Sequence, residues 1–213
     1  MLKVAGLGVL IGRVPVIRDA TFDLGEGEMC ALIGRNGAGK TTVLRALMGI
    51  LSATGKAELG HIDLLALPTH CRVGHGVGYM PEDRRLVPQF TVEQNIRLPT
   101  WTIAADGVER RLEWIYSIMP EVAGFRARRA LELSGGQQKM VALARALMAG
   151  RRILLLDEPF EGLAPALAYR LGEVMSNLKS EGITILIAES NEVHVSELHS
   201  RSFRIERGTV SAV

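Results

Sequence analysis

The stretch that most constrains this chain is Gly34, Arg35, Asn36, Gly37, Ala38, Gly39, Lys40 and Thr41, followed by Thr42, with apolar runs at 29–33 ahead of it and 43–47 behind. It fits the spacing Gly, four residues, Gly-Lys-Ser/Thr, and it stands between a strand-like run and a helix-like run, where that spacing has physical meaning. Glycines let backbone N–H groups close around phosphate oxygens without Cβ clashes. Lys40 is then placed to reach the β and γ phosphates of a nucleoside triphosphate, and the Thr41 hydroxyl to hold Mg²⁺. The positive end of the helix that starts here favours the same anion. A Gly-rich turn before a helix is common; the Lys-Thr pair in this context makes it specific.

With 213 residues, 47% of them apolar, the chain suffices for one sizeable domain with a subdomain but not for two complete nucleotide-binding units. A formal net charge of +2, with both signs mixed along the chain, gives no reason to expect a nucleic-acid partner. Cys30 and Cys71 are far apart, so neither a disulfide framework nor a cysteine metal site is expected. His61, His70 and His75 recur without ligand spacing and are read as surface histidines. Without an apolar run of membrane-spanning length or a secretory leader at residues 1–10, the expectation is a soluble cytoplasmic chain.

Residues 2–11 and 14–24 read as two antiparallel strands joined across Gly12-Arg13, and 28–33 as the strand that feeds the loop. The helix after the loop places Val43, Leu44, Leu47 and Met48 on one face. Residues 53–78 predict a short hairpin and a short helix after Pro68. A helical insert is expected over about 91–133. Its helix at 106–119 opens on Asp106 and Glu109 at capping-box spacing and presents Val108, Leu112, Ile115, Tyr116 and Met119, with Trp114 off that stripe.

Leu133-Ser134-Gly135-Gly136-Gln137 opens an Ala- and Leu-rich helix that ends near Gly150, a second helix start suited to an anion. The apolar run 153–156 delivers Asp157 and Glu158 at the carboxyl end of a central strand, where open α/β sheets bind ligands. A helix over 164–180, a strand over 183–188 and a terminal hairpin at 202–206 and 209–213 complete the reading, with the hairpin closing the sheet.

The ordered set of phosphate loop, LSGGQ signature at 133–137 and paired carboxylates at 157 and 158 resembles the nucleotide-binding subunit of an ABC transporter over essentially the whole chain. Residues 78–82, 87–95 and 161–165 are similar to the ATPases of branched-chain amino acid importers and their amide and urea relatives. The resemblance implies an α/β P-loop NTPase fold with a parallel core sheet, an N-terminal antiparallel β subdomain and a helical subdomain carrying the signature, residues 1–213 forming one nucleotide-binding domain. It implies ATP on 34–42, covered by residues 134–136 of a second ATPase subunit, identical or different. Asp157 and Thr41 would serve Mg²⁺, and Glu158 would polarise the attacking water. Transmembrane permeases and, indirectly, a solute-binding protein are the implied partners, with the chain peripheral on the inner membrane face.

Three positions depart from the superfamily pattern. Glu82 stands where a γ-phosphate-sensing Gln is usual, Ser190 where a switch His is usual, and Ile11 where an aromatic usually stacks on adenine. Serine has no imidazole to offer the γ phosphate, although His194 lies one helical turn on. Arg84 and Arg85 read equally as permease contacts or as a solvated charge run. The leading expectation is an ATP-hydrolysing subunit that energises solute import. A soluble ABC ATPase outside transport, or a low-turnover partner in a heterodimer, are the alternatives.

Overall fold

Two kinds of strand are written into the sequence, alternating ones near the start and wholly apolar ones later, and they occupy two halves of one sheet. The computed structural model describes residues 1–102, 107–196 and 198–212, the side chains of Thr102 and His194 excepted. In chain order the strands are β1 (Leu2–Ile11), β2 (Val14–Leu24), β3 (Met29–Ile33), β4 (Thr54–Leu59), β5 (Ile62–Asp63), β6 (Val77–Met80), β7 (Ile153–Asp157), β8 (Thr184–Glu189), β9 (Arg201–Glu206) and β10 (Thr209–Ala212). The helices are α1 (Lys40–Leu47), α2 (Thr69–Gly74), α3 (Val92–Arg97), α4 (Val108–Ile118), α5 (Pro120–Gly124), α6 (Gly135–Ala149) and α7 (Pro165–Ser180).

The sheet order is β5-β4-β1-β2-β10-β9-β3-β8-β7-β6. The alternating strands β1, β2 and β4 pair antiparallel, whereas β9, β3, β8, β7 and β6 run parallel. Every residue of β3, β7 and β8 is buried, as a sheet covered on both faces requires. Their side chains alternate between two cores: Met29, Ala31 and Ile33 join α6 and α7, while Cys30 and Leu32 join α1 and the antiparallel strands.

The terminal hairpin differs from expectation. It lies in the middle of the sheet, where β10 pairs antiparallel with β9 and meets β2 at Thr209 and Asp19. Gly208 O accepts from Arg18 N at 2.8 Å, which stitches the two halves together. β6 is a strand additional to the hairpin and helix expected over 53–78. Gly78 is required in it because a Cβ there would stand 2.3 Å from Ala146 O of α6.

In the helical region Leu112, Ile115 and Met119 are buried, and Val108 and Tyr116 pack against them. The expected capping residue Asp106 lies outside the described residues; Gly107 is the N-cap of α4, and Glu109 instead pairs with Arg97 at 2.6 Å. The capping box in this region is Thr91 with Gln94, at the start of α3. Trp114 faces the end of α7, donating from Nε1 to Glu181 at 3.1 Å. Among the described residues no helix is long and apolar enough to cross a membrane.

The C-terminal end of α1 is satisfied by a distant side chain. Arg72 of α2 is 4% exposed and donates to Ala46 O and Leu47 O at 2.8 Å and to Leu67 O at 2.9 Å. Arg72→Met leaves these buried carbonyls without their partner and is expected to cost about 1–3 kcal/mol of unfolding free energy. Urea unfolding measures it, and a loss below about 0.5 kcal/mol would refute the capping role.

Candidate functional site

The phosphate loop starts where β3 stops. Gly34 N donates to Glu189 O of the neighbouring β8 at 3.2 Å, and Ala38 N to Arg35 O at 3.0 Å. Gly39, at φ 115°, is the N-cap of α1, and a Cβ there would lie 2.5 Å from Ile17 Cδ1. Only glycine meets both conditions. Lys40 then folds back over the loop. Its ammonium donates to Gly34 O at 2.7 Å and Arg35 O at 3.3 Å, and it forms an ion pair with Glu158 Oε1 at 3.0 Å. The two side chains of that pair are 5% and 7% exposed. Three acceptors occupy the three N–H donors of a lysine.

A cavity of about 320 Å³ opens over the loop, lined by 36, 37 and 39–42, by Val16 of β2, and by Glu82, Glu158 and Glu161. Glu158, just past the end of β7, lines it, whereas Asp157, the last residue of that strand, does not. Asp157 is fully buried, and accepts from Thr41 Oγ1 at 3.0 Å and from the Tyr79 hydroxyl at 3.3 Å. Burial pushes its carboxyl up to about 6 against the opposing hydrogen bonds from Thr41 and Tyr79. A hydroxyl and a carboxylate oxygen together suit a hard divalent cation completed by phosphate oxygens and water.

Glu158 is different in kind. Its backbone is left-handed at φ 46°, fixed by its N–H to Ala188 O at 2.9 Å. Its Oε2 accepts from both the N–H and the hydroxyl of Ser190 at 3.2 Å. Burial raises its carboxyl, but the contacts from Glu189, Lys40 and Ser190 outweigh that and hold it below its ordinary value. Ser190 therefore reaches the carboxylate of Glu158.

Two side chains here were missed in the sequence. Glu189, 1% exposed at the end of β8, accepts from Phe160 N at 3.0 Å. Burial, reinforced by the Glu158 carboxyl, pushes its pKa well above the usual carboxylate range. Lys139 of α6, 7% exposed, donates to Glu158 O at 2.7 Å and to Glu161 O. The available signals were an acid ending an apolar strand and a lysine inside an Ala- and Leu-rich helix.

The remaining candidates lie apart. Ser134 caps α6 in a reciprocal box with Gln137 (3.2 and 3.0 Å), and Leu133, beside it, is buried. Neither Leu133 nor any of Ser134, Gly135, Gly136 and Gln137 lines the cavity over the loop. Glu82 is exposed and does line it. Ile11 is 49% exposed at the tip of the β1–β2 hairpin, and Val16 is the apolar residue on the cavity wall. The side chain of His194 is outside the described set. Arg84 and Arg85 are both left-handed, at φ 61° and 48°, and Arg145 of α6 donates to their carbonyls.

A parallel sheet with a phosphate loop on one strand and a paired-carboxylate end on another, joined by a helical region, defines an ATP-binding cassette of the P-loop NTPase class. The chain matches the ABC transporter family over residues 17–161. It is 31% identical to the high-affinity branched-chain amino acid transport ATP-binding protein BraG of Pseudomonas aeruginosa, over 99% of this chain and 91% of that one. It is 32% identical to the lipopolysaccharide export system ATP-binding protein LptB of Acidithiobacillus ferridurans, over 93% and 83% of the two chains. The dimeric post-hydrolysis state of the ATP-binding cassette MJ0796 bound to ADP and Pi shares the fold, with TM-score 0.86 over 99% of this chain and 97% of that one at 22% identity. The chain belongs to the ABC transporter family and is an ATP-binding, ATP-hydrolysing subunit of a transporter.

The Asp157 shift has a sign. Between the ordinary 3.8 and about 6 the native carboxyl holds more proton than the unfolded one, so stability falls as pH rises through that window. Asp157→Asn removes this cost and is expected to stabilise the nucleotide-free chain near neutral pH by up to about 3 kcal/mol. The gain should vanish below about pH 4. Thermal unfolding across pH checks both, and a variant less stable than the parent at neutral pH would overturn the assignment.

Proposed function

We propose that residues 1–213 act as one nucleotide-binding domain, with a helical insert at about 91–133, that hydrolyses ATP to drive solute import through separate membrane permeases. The observation that carries the chemistry is the Lys40 to Glu158 ion pair at 3.0 Å, which puts a carboxylate held below its ordinary pKa beside the lysine of the phosphate loop.

The sequence of events follows from these contacts. ATP binds on 34–42, and its phosphates compete with Glu158 for Lys40, whose donors are already engaged. Once released from Lys40, Glu158 stays ionised on the Ser190 donors and acts as general base toward the attacking water. Thr41 and Asp157 hold Mg²⁺, which supplies charge neutralisation for the phosphates when bound. Glu82, on the cavity wall, senses the bound phosphate. Val16 provides the apolar wall nearest the loop, and Ile11, farther out on the same hairpin, provides apolar contact on the adenine side.

The exposed Ser134, Gly135 helix end lies outside its own cavity, which supports the reading that it covers ATP on a second subunit, identical or different. The dimer named for MJ0796 is consistent with it. A cleft of about 290 Å³ lined by Met48, Ile50 and Val73 together with Arg45, Arg85 and Arg145 offers a seat for a cytoplasmic permease segment, which supports the reading of a chain peripheral on the inner membrane face. The cargo reading, a branched-chain amino acid or related amide delivered by a solute-binding protein, rests on the likeness to BraG along 99% of the chain. The comparable identity to LptB favours an exporter as the second reading.

Glu158→Gln is expected to lower kcat about a hundredfold or more while ATP binding is kept or tightened, because the competitor for Lys40 loses its charge. Unchanged turnover would sink the base assignment. The subunit is expected to co-purify with polytopic permeases, and its deletion to abolish uptake of leucine, isoleucine or valine; lost lipopolysaccharide export with intact uptake would replace the importer reading.

A further inference from the structure

The turn that carries Glu158 is held from two sides by buried side chains that do not themselves line the phosphate cavity. On one side Lys139 Nζ donates to Glu158 O at 2.7 Å and to Glu161 O, the two carbonyls that bracket the turn. On the other, Glu189 Oε1 accepts from Phe160 N at 3.0 Å, in the middle of it. The turn's own closing bond, Glu161 N to Glu158 O, is long at 3.3 Å. A left-handed backbone at a residue with a Cβ, φ 46° at Glu158, persists only where its surroundings over-determine it. These side-chain contacts, with the bond from Glu158 N to Ala188 O, supply that determination.

We propose that Lys139 and Glu189 form a clamp on the turn at 158–161 and are positioning residues for Glu158, linking its orientation to the placement of α6. The proposal rests on Glu158 being the general base. An aliphatic side chain at 139 would extend the apolar face of α6 with no charge to desolvate, whereas the ammonium there is buried against main-chain carbonyls. Lys139 stands one helical turn inside α6 from Ser134, Gly135 and Gly136. That first turn is tightly seated on α7, since a Cβ on Gly136 would lie 2.4 Å from Leu167 Cδ2. A displacement of the helix start, the end that covers a second subunit's nucleotide, therefore carries Lys139 and the carbonyl of Glu158 with it. Glu189 anchors the opposite side of the turn to β8, one residue before Ser190, whose N–H and hydroxyl hold the Glu158 carboxylate.

The test uses the full chain with the membrane subunits it carries, measuring kcat and the Kd for ATP separately. Lys139→Met and Glu189→Leu are expected to lower kcat about tenfold to a hundredfold while Kd stays within about twofold, the pattern of a misplaced base with an intact binding site. Glu189→Gln keeps an oxygen for Phe160 N and should lose less than Glu189→Leu. Folded variants whose kcat stays within about twofold of the parent, or whose Kd weakens by the same factor as kcat falls, would overturn the clamp. If Lys139→Met does not fold, the two Glu189 variants decide by the same criteria. Glu158→Gln runs alongside: if it keeps full turnover, the base reading fails and the clamp with it. If it abolishes turnover while Lys139→Met and Glu189→Leu do not, the clamp alone fails.

Discussion

A buried lysine with three acceptors is the constraint from which the rest of this site follows. The Lys40 ammonium closes on Gly34 O, Arg35 O and the Glu158 carboxylate, so the loop is shaped around its own cation. A buried ion pair seldom stabilises a fold better than apolar side chains of similar volume, because both charges are taken out of water. Its presence at the end of β7 is therefore better explained by what the site does than by what the core needs. The same strand end separates two neighbouring carboxylates by environment: burial pushes Asp157 up to about 6, while Lys40 and the Ser190 donors help hold Glu158 below its ordinary value. Pairs driven apart in this way are how one site supports two roles. In the function proposed above those roles are cation holding and proton acceptance.

α6 ties the Glu158 turn to the loop that follows Glu82. Its very start, at Ser134 and Gly135, is exposed; Lys139 grips the 158–161 turn; and Arg145 donates to the carbonyls of Arg84 and Arg85, two successive left-handed residues just beyond Glu82. Arg84 also reaches Gly135 O at 3.2 Å, so the 82–85 loop is tied to both the start and the body of one helix. One helix thus holds both the loop beside the Arg85 cleft and the turn that carries Glu158, through hydrogen bonds to main-chain oxygens.

Most of the fold was legible because its signals are local. The apolar faces of α1, α4 and α7, the extents of β1 and β2, and the strand ending at Asp157 all follow from periodicity and turn residues. What was not legible depends on distant parts of the chain. β6 is four residues with a glycine inside, and only its packing against Ala146 explains that glycine. The terminal hairpin reads as an edge element from its sequence, yet Gly208 O is taken by Arg18 from a strand nearly two hundred residues earlier. In the site, Gly34 to Thr42, Asp157 and Glu158 were visible as motifs. Lys139 and Glu189 were not, since a single lysine or glutamate acquires its role only through the carbonyl or N–H it meets in space.

Ser190 shows why a departure from a pattern is best judged by contacts. A serine at a position that usually carries an imidazole reads as a loss, because its hydroxyl is short and does not titrate near neutral pH. Its length suits a nearer target, and both its N–H and its hydroxyl donate to Glu158 Oε2. Two neutral donors on one oxygen keep a carboxylate ionised and oriented without adding a charge that would compete for the phosphates. Glu189 next to it fastens the same turn from below through Phe160 N. In this reading the end of β8 supports the base, and the γ phosphate is left to Lys40 and the cation. A site organised this way gives Ser190 a duty of its own, so the missing imidazole does not by itself argue for a degenerate half-site.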